Sequence, residues 1–301
     1  MYDLIIIGAG PAGLTAALYA LRAGKKVLVL EEKAYGGQII NAQKIKNYPG
    51  IIEISGKDWA MTLFQQVKNF GGETKLEKVV SLKVEDDEKI ITTDMDEKYR
   101  TKTVIISTGT GYRKLDLPKE KELAGKGISY CATCDGNFYQ DKDVAVVGGG
   151  NTALMDAIYL SGIAKKVYLI HRRDEFRGEK VYVDEVRKKE NVEILLDTIV
   201  TEINGIDNLE SLSTKTGNQT TEIKVDGLFV AVGNQPQNQI FQGVIELDDL
   251  GYIKTDDGIH TSINGIYVAG DAREKDLRQL TTAVSDGAIA ATVAVQEMDN
   301  S

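Results

Sequence analysis

The sequence predicts an α/β chain of two Rossmann-like domains, each of three-layer ββα build, with the second inserted into the first. The main observation is an internal echo. Residues 3–15, DLIIIGAGPAGLT, and residues 143–154, DVAVVGGGNTAL, share an acidic residue, an apolar run, Gly-x-Gly-x-x-Gly/Ala and a helix start. Such an apolar strand running through a glycine turn into a helix opens a βαβ nucleotide-binding unit. A second observation is length: 301 residues are comfortable for two domains of ordinary size.

The elements follow in order. The spacing predicts helices over 11–23 and 152–161, followed by second strands over 26–30 and 166–170. Residues 57–70 have helical spacing, while 77–84 and 89–93 alternate as strands do. A further apolar strand, 103–107, ends in Thr108-Gly109. Beyond the second unit, a helix is expected near 179–189 and strands near 192–196 and 227–232. A strand over 265–269 runs into Gly270-Asp271, and a buried Ala/Thr/Val-rich helix spans about 279–297. Four prolines leave no proline-rich linker. Glycine punctuation and strand ends put the crossings near 109–112 and 242–246. The domains are then 1–111 with 245–301, and 112–244.

Composition excludes several classes of function. Apolar residues make up 42% and charged residues 27% of the chain, enough for two cores. A net charge of −9 argues against nucleic acid or an anionic membrane as partner, since both need a basic field. No stretch approaches the roughly 18 apolar residues of a membrane span. The first apolar run, Leu4–Ile7, lacks a basic flank and a cleavage site, so it reads as a buried strand and the chain as cytoplasmic.

In the first turn, Gly8 permits the sharp bend, Gly10 lets a pyrophosphate approach, and Gly13 allows close packing of helix on strand. The helix N-terminus offers free N–H groups to phosphate. Glu31, closing the second strand, stands where a carboxylate accepts from a ribose diol. In the second turn, Gly148, Gly150 and Ala153 repeat the plan. Its second strand ends in His171-Arg172-Arg173, with Arg177 four residues on. Arginine forks at that place suit a 2′-phosphate, which points to NADPH, although a solvated basic patch is the alternative.

The only two cysteines are Cys131 and Cys134, and the two histidines are His171 and His260. A structural zinc site wants four such ligands, so no metal is expected. A stapling disulfide would close a longer loop. The CxxC pair therefore reads as redox-active. Asp135 beside it is either a proton donor–acceptor or half of an Asp-Gly turn.

Together these motifs resemble the bacterial-type, low-molecular-weight thioredoxin reductases along essentially the whole chain. The matching segments are GAGPAG, GGQI (36–39), NYPG (47–50), CATCDG, GGGNTA, HRRDEFRG, GLFVAVG (227–233), GIYVAGD (265–271) and RQL. The resemblance implies that Gly8, Gly10, Gly13, Glu31, Gly37, Gln38, Asn47, Gly109, Asp271, Arg278, Gln279 and Leu280 bind FAD. It implies NADPH at Gly148, Gly150, Asn151, Thr152, His171, Arg172, Arg173 and Arg177. Cys134 would face the flavin, Cys131 would exchange with thioredoxin or a similar small dithiol protein, and Asp135 would be the active-site acid. A homodimer with functional hinges near 110 and 244 is implied as well.

Some positions depart from the family pattern. Leu154-Met155-Asp156 keeps one acid where two are usual, and Met155 reads as a core filler. Asn234 and Gly178 replace the commoner His and Ala, both read as neutral, while Tyr48 keeps an expected aromatic. Three rivals remain: an NADH-fed reductase of a peroxiredoxin, a ferredoxin-fed relative, and a flavin-binding redox sensor without turnover.

Overall fold

The computed structural model describes residues 2–42 and 45–300. Two compact units emerge, Met1–Gly111 with Gln235–Ser301, and Tyr112–Asn234. Among the described residues the α-helices are α1 (Pro11–Arg22), α2 (Gly56–Asn69), α3 (Ala132–Asp135), α4 (Asn151–Ser161), α5 (Lys180–Val186) and α6 (Leu280–Asp299).

The first unit is built on a five-stranded parallel sheet. Its order is Ile266–Val268, Thr103–Ile106, Leu4–Ile7, Val27–Glu31, Glu73–Leu76. Strand side chains alternate between faces, and the burial follows that period. Ile5, Ile7, Leu28, Leu30, Val104 and Ile106 pack towards an antiparallel meander of Val79–Glu85, Glu88–Thr93 and Lys98–Thr101. Helices α1 and α6, themselves in extensive contact, supply the unit's helical layer. The second unit repeats the plan. Its parallel sheet runs Val192–Leu195, Lys166–Ile170, Asp143–Val147, Gly227–Val230, Ile128–Ser129. Ala145, Val147, Leu228 and Val230 meet the meander residues Ile203, Leu212 and Ile223 on one face. Val144, Val146, Leu169 and Phe229 meet Leu154, Ala157 and Leu160 of α4 on the other. Both units are three-layer, as expected.

The second crossing lies at Asn234/Gln235, ten residues before the 244 expected from strand ends. The cause is a buried side chain. Asn238, fully buried, donates to Gly251 O (3.0 Å) and Ala272 O (2.8 Å) and accepts from Thr108 (2.9 Å). Phe241 then enters the first unit's core. The expected helix 179–189 is shorter, Lys180–Val186. The second meander, Thr198–Asn204, Ser211–Thr216 and Gln219–Lys224, escapes the pattern reading because its Ser, Thr and Lys residues keep much of the surface polar. Among the described residues no helix is long and apolar enough to cross a membrane.

At the far end of α6, His260 joins Asp257 (2.5 Å) and Glu297 (2.7 Å), and Tyr267 donates to Glu297 (2.6 Å). The hydrogen bond to Glu297, then that to Asp257, raises the imidazole pKa above its ordinary value. Both carboxylates are held below theirs, Asp257 chiefly by backbone N–H donors and Glu297 chiefly by Tyr267. A raised histidine stabilises fully below its unfolded pKa and loses that contribution as pH rises through its folded one; lowered carboxylates do the reverse on the acid side. The stabilisation should therefore be greatest between about pH 5 and 6.5. Because the His260 side chain is 41% exposed, screening keeps it within about 1 kcal/mol. Thermal melts of His260→Gln should fall below those of the parent in that window and converge with them in mild alkali. Curves separated equally at every pH would refute this.

Candidate functional site

The first glycine turn stands at the C-terminal end of the central strand, where parallel α/β sheets bind ligands. Gly8 has φ +102°, and a Cβ on it would lie 2.4 Å from Ser107 O. A Cβ on Gly13 would lie 1.9 Å from Gly8 O, so helix and strand can approach only as glycine. Gly10 faces open space apart from Gly37. It caps α1 without a side-chain acceptor, leaving the first-turn N–H groups for a ligand. Glu31 takes Ala9 N–H at 2.7 Å and Lys33 N–H at 2.9 Å, one on each oxygen, which fixes its carboxylate beside the turn.

The other residues expected around that cofactor gather in the same unit. Gly37 packs on Gly10, Gln38 donates to Thr110 O (3.3 Å), and Asn47 donates to Gln279 (3.2 Å). Gly109, at φ +66°, is open. The Arg278 guanidinium lies 4.1 Å over the Tyr252 ring, and Leu280 begins α6. Asp271 Oδ1 is buried and accepts no hydrogen bond, although the Lys275 ammonium is 3.2 Å away. An open phosphate turn, an uncapped helix and a carboxylate with spare acceptor capacity fit a dinucleotide with a polyol chain, as in FAD.

The second turn differs in its surroundings. Gly148 has φ +157°, and a Cβ there would meet Ala231 O at 2.3 Å, whereas Gly150 is open. His171, expected at the ligand, is only 4% exposed. Its ring lies under Gly149, where a Cβ would stand 2.1 Å from it, stacks on Phe176 and meets Glu175 O at 3.1 Å. Burial first, then the neighbouring arginines, lowers its pKa. The ring thus packs beneath the turn, held between Gly149, Phe176 and the Glu175 carbonyl.

Asn151 is likewise engaged. Its side chain exchanges two 2.7 Å hydrogen bonds with Glu179, and Arg177 N–H donates to Gly149 O at 2.7 Å. The segment 171–179 is thereby tied to the glycine turn. Arg172, Arg173 and Arg177 are exposed, and their guanidinium groups make no hydrogen bond or salt bridge among the described residues. Thr152, also exposed, follows on α4. Three unengaged guanidinium groups beside an open phosphate turn fit a phosphorylated ribose.

Two neighbouring residues depart from expectation. Met155 does not fill the core; it is 49% exposed. Gly178 is not neutral, since a Cβ would lie 2.4 Å from Leu154 Cδ1 and 3.0 Å from Asn151 Oδ1. Half-buried Asp156, one residue past Met155, has its carboxyl pushed up to about 7 by desolvation.

Cys131 and Cys134 are joined as a disulfide with Cα atoms 5.3 Å apart. Cys131 caps α3, and Cys134 and Asp135 return their N–H groups to its carbonyl at 3.2 and 3.1 Å. Ser129, buried and not anticipated, accepts from Cys131 N–H (3.1 Å) and donates to Asp135 Oδ2 (2.6 Å). The Asp135 carboxylate is thus linked through Ser129 to the backbone of the redox pair. Asp286 also went unanticipated, although a single acid within the Ala/Thr/Val-rich stretch 280–295 of α6 was a readable signal.

Two dinucleotide turns and one vicinal disulfide in a single chain define a nucleotide-dependent disulfide oxidoreductase. Comparison with known proteins agrees. The model of the pyridine nucleotide-disulphide oxidoreductase family matches residues 2–287. A thioredoxin reductase of Peptoclostridium acidaminophilum is 43% identical, with 98% of this chain and 96% of that protein covered. Among solved structures, the thioredoxin reductase of Streptococcus pyogenes is 42% identical, with a TM-score of 0.83 and 100% and 99% of the two chains covered. That of Lactococcus lactis is 38% identical, with a TM-score of 0.81 and both chains fully covered. The chain belongs to the pyridine nucleotide-disulphide oxidoreductase family.

The fit of Gly178 against Leu154 is open to measurement. Gly178→Ala should cost about 1–2 kcal/mol through overpacking. It should cost less in a Leu154→Ala background, because the contacting methyl is gone. Equal costs in both backgrounds, read from denaturant unfolding, would show that the contact is not responsible.

Proposed function

We propose that this protein is a thioredoxin reductase, carrying two electrons from NADPH through FAD to the Cys131–Cys134 disulfide and on to oxidised thioredoxin. The observation that carries the reading is the coexistence of that vicinal disulfide with two open glycine turns, one flanked by unengaged arginines. FAD, when bound, supplies a two-electron relay between nicotinamide and disulfide.

The protein's own residues divide the work. Gly8, Gly10, Gly13 and the N-terminus of α1 hold the FAD pyrophosphate, Glu31 the ribose, and Asp271 the polyol chain. Gly37, Gln38, Asn47, Gly109, Arg278, Gln279 and Leu280 line the same cofactor. Gly148, Gly150, Thr152 and the three arginines hold NADPH, while His171 and Asn151 shape that site from beneath and beside it. In the reduced pair, the Cys131 thiolate attacks one sulfur of the thioredoxin disulfide and forms a mixed disulfide, releasing the other thioredoxin sulfur as thiolate. Cys134 then attacks Cys131 Sγ, restores the internal disulfide and releases the second thioredoxin thiolate. Asp135, held by Ser129, exchanges the accompanying proton with Cys134 Sγ. The acid balance and the family resemblance support a cytoplasmic homodimer whose partner is thioredoxin or a similar small dithiol protein.

Arg172→Ala should raise the KM for NADPH about tenfold, as expected for one charge-assisted contact, and leave that for NADH nearly unchanged. Equal loss with both cofactors would remove the 2′-phosphate role. Cys134→Ser should abolish NADPH-dependent reduction of a disulfide dye while NADPH still bleaches the flavin. Dye reduction persisting at the parental rate would overturn the electron route.

A further inference from the structure

A partly buried group of four charges lies at the Gly270-Asp271 corner of the first unit. Asp286 is the one acid on the buried face of α6 and is 5% exposed. Its Oδ2 accepts from Gly270 N–H (3.1 Å), Arg273 Nε (3.0 Å) and Lys275 Nζ (3.1 Å), and its Oδ1 from Arg273 Nη2 (3.1 Å). Lys275, with a side chain only 6% exposed, also lies 3.2 Å from Asp271 Oδ1. Burying charge is costly unless each is paired. Arg273 alone, gripping Asp286 through both carboxylate oxygens, already neutralises it. The Lys275 ammonium is therefore surplus to Asp286; it also donates to Thr282 Oγ1 (3.4 Å), and its remaining charged partner is Asp271.

The corner is also fixed in space. A Cβ on Gly270 would lie 2.8 Å from Ala12 Cβ, and one on Gly287, next to Asp286, 2.2 Å from Ala12 O. Ala12 is the second residue of α1, so the network pins Asp271 against the start of the helix that follows the first glycine turn. Within the Asp271 side chain, Oδ1 is buried while the side chain as a whole is 30% exposed, so its exposed surface belongs to atoms other than Oδ1.

We propose that Lys275, anchored by Asp286, is a positioning residue for FAD: it holds Asp271 Oδ1 so that Oδ2 meets a hydroxyl of the cofactor's polyol chain. The inference rests on the FAD reading above. Lys275 touches only protein and acts through Asp271.

The test is flavin binding, not turnover. Stripped apoprotein of the parent, Lys275→Met, Asp271→Asn and the double variant is titrated with FAD by fluorescence quenching, with the apoprotein melting temperature recorded. Lys275→Met keeps the Asp286–Arg273 pair, so its apoprotein should melt near the parent. Its Kd should rise about tenfold, the weight of one charged hydrogen-bond arrangement. Asp271→Asn should weaken binding at least as much, the double variant no further, and Lys275→Arg should restore most of the affinity. Unchanged affinity in Lys275→Met, or losses that multiply in full in the double variant, would overturn the proposal. A parent apoprotein that takes up no FAD would instead overturn the cofactor reading beneath it. Should the Met variant unfold below the assay temperature, Lys275→Gln is judged by the same outcomes.

Discussion

The approach of main chain to main chain at each glycine turn is the constraint from which the rest of the structure follows. At Gly13 the nearest backbone oxygen would be 1.9 Å from a side-chain carbon, and at Gly148 2.3 Å. No repacking of side chains relieves a clash with main chain. Once these positions are glycine, α1 and α4 lie tight on their sheets with free N–H groups at the strand ends. Candidate ligand groups are then fixed within each unit: Glu31 is bound to Ala9 of the first turn, and the 171–179 segment is tied to Gly149 and Asn151 of the second.

The strand–turn–helix units were legible because they combine two strong periodicities with glycines whose spacing has a steric cause. Hence α1, α4 and the central strands lie where the sequence puts them, within a residue or two. The meander Thr198–Lys224 was illegible because its strands are short of apolar residues and show neither a continuous apolar run nor a clear alternation. The two-residue strand Ile128–Ser129 is too short to carry a period at all. The second crossing was misplaced because one fully buried amide, Asn238, decides it, and nothing in composition marks an asparagine as buried.

The candidate site shows the same division. Residue types whose chemistry demands exposure, such as the three arginines, could be placed from spacing. His171 and Asn151 have side chains equally suited to a ligand or to the backbone of their own loop. Which protein partners they take depends on a tertiary contact that sequence spacing does not contain, and both are engaged by the 171–179 loop. Ser129 and Asp286 were missed for the converse reason: each is small or solitary in its segment and gains its role only when the chain brings the redox pair or the Gly270 corner against it.

The nesting of one unit inside the other has a consequence for how the protein is made. The inserted unit has all its strands once residue 230 has emerged from the ribosome, whereas the host sheet still waits for Ile266–Val268 and for α6. Until then Thr103–Ile106 is an open, mostly apolar edge, the kind of template that recruits foreign strands. During synthesis the younger segment can complete its fold before the older one, and the nascent host must keep that edge from neighbouring chains for the time translation takes to cover it.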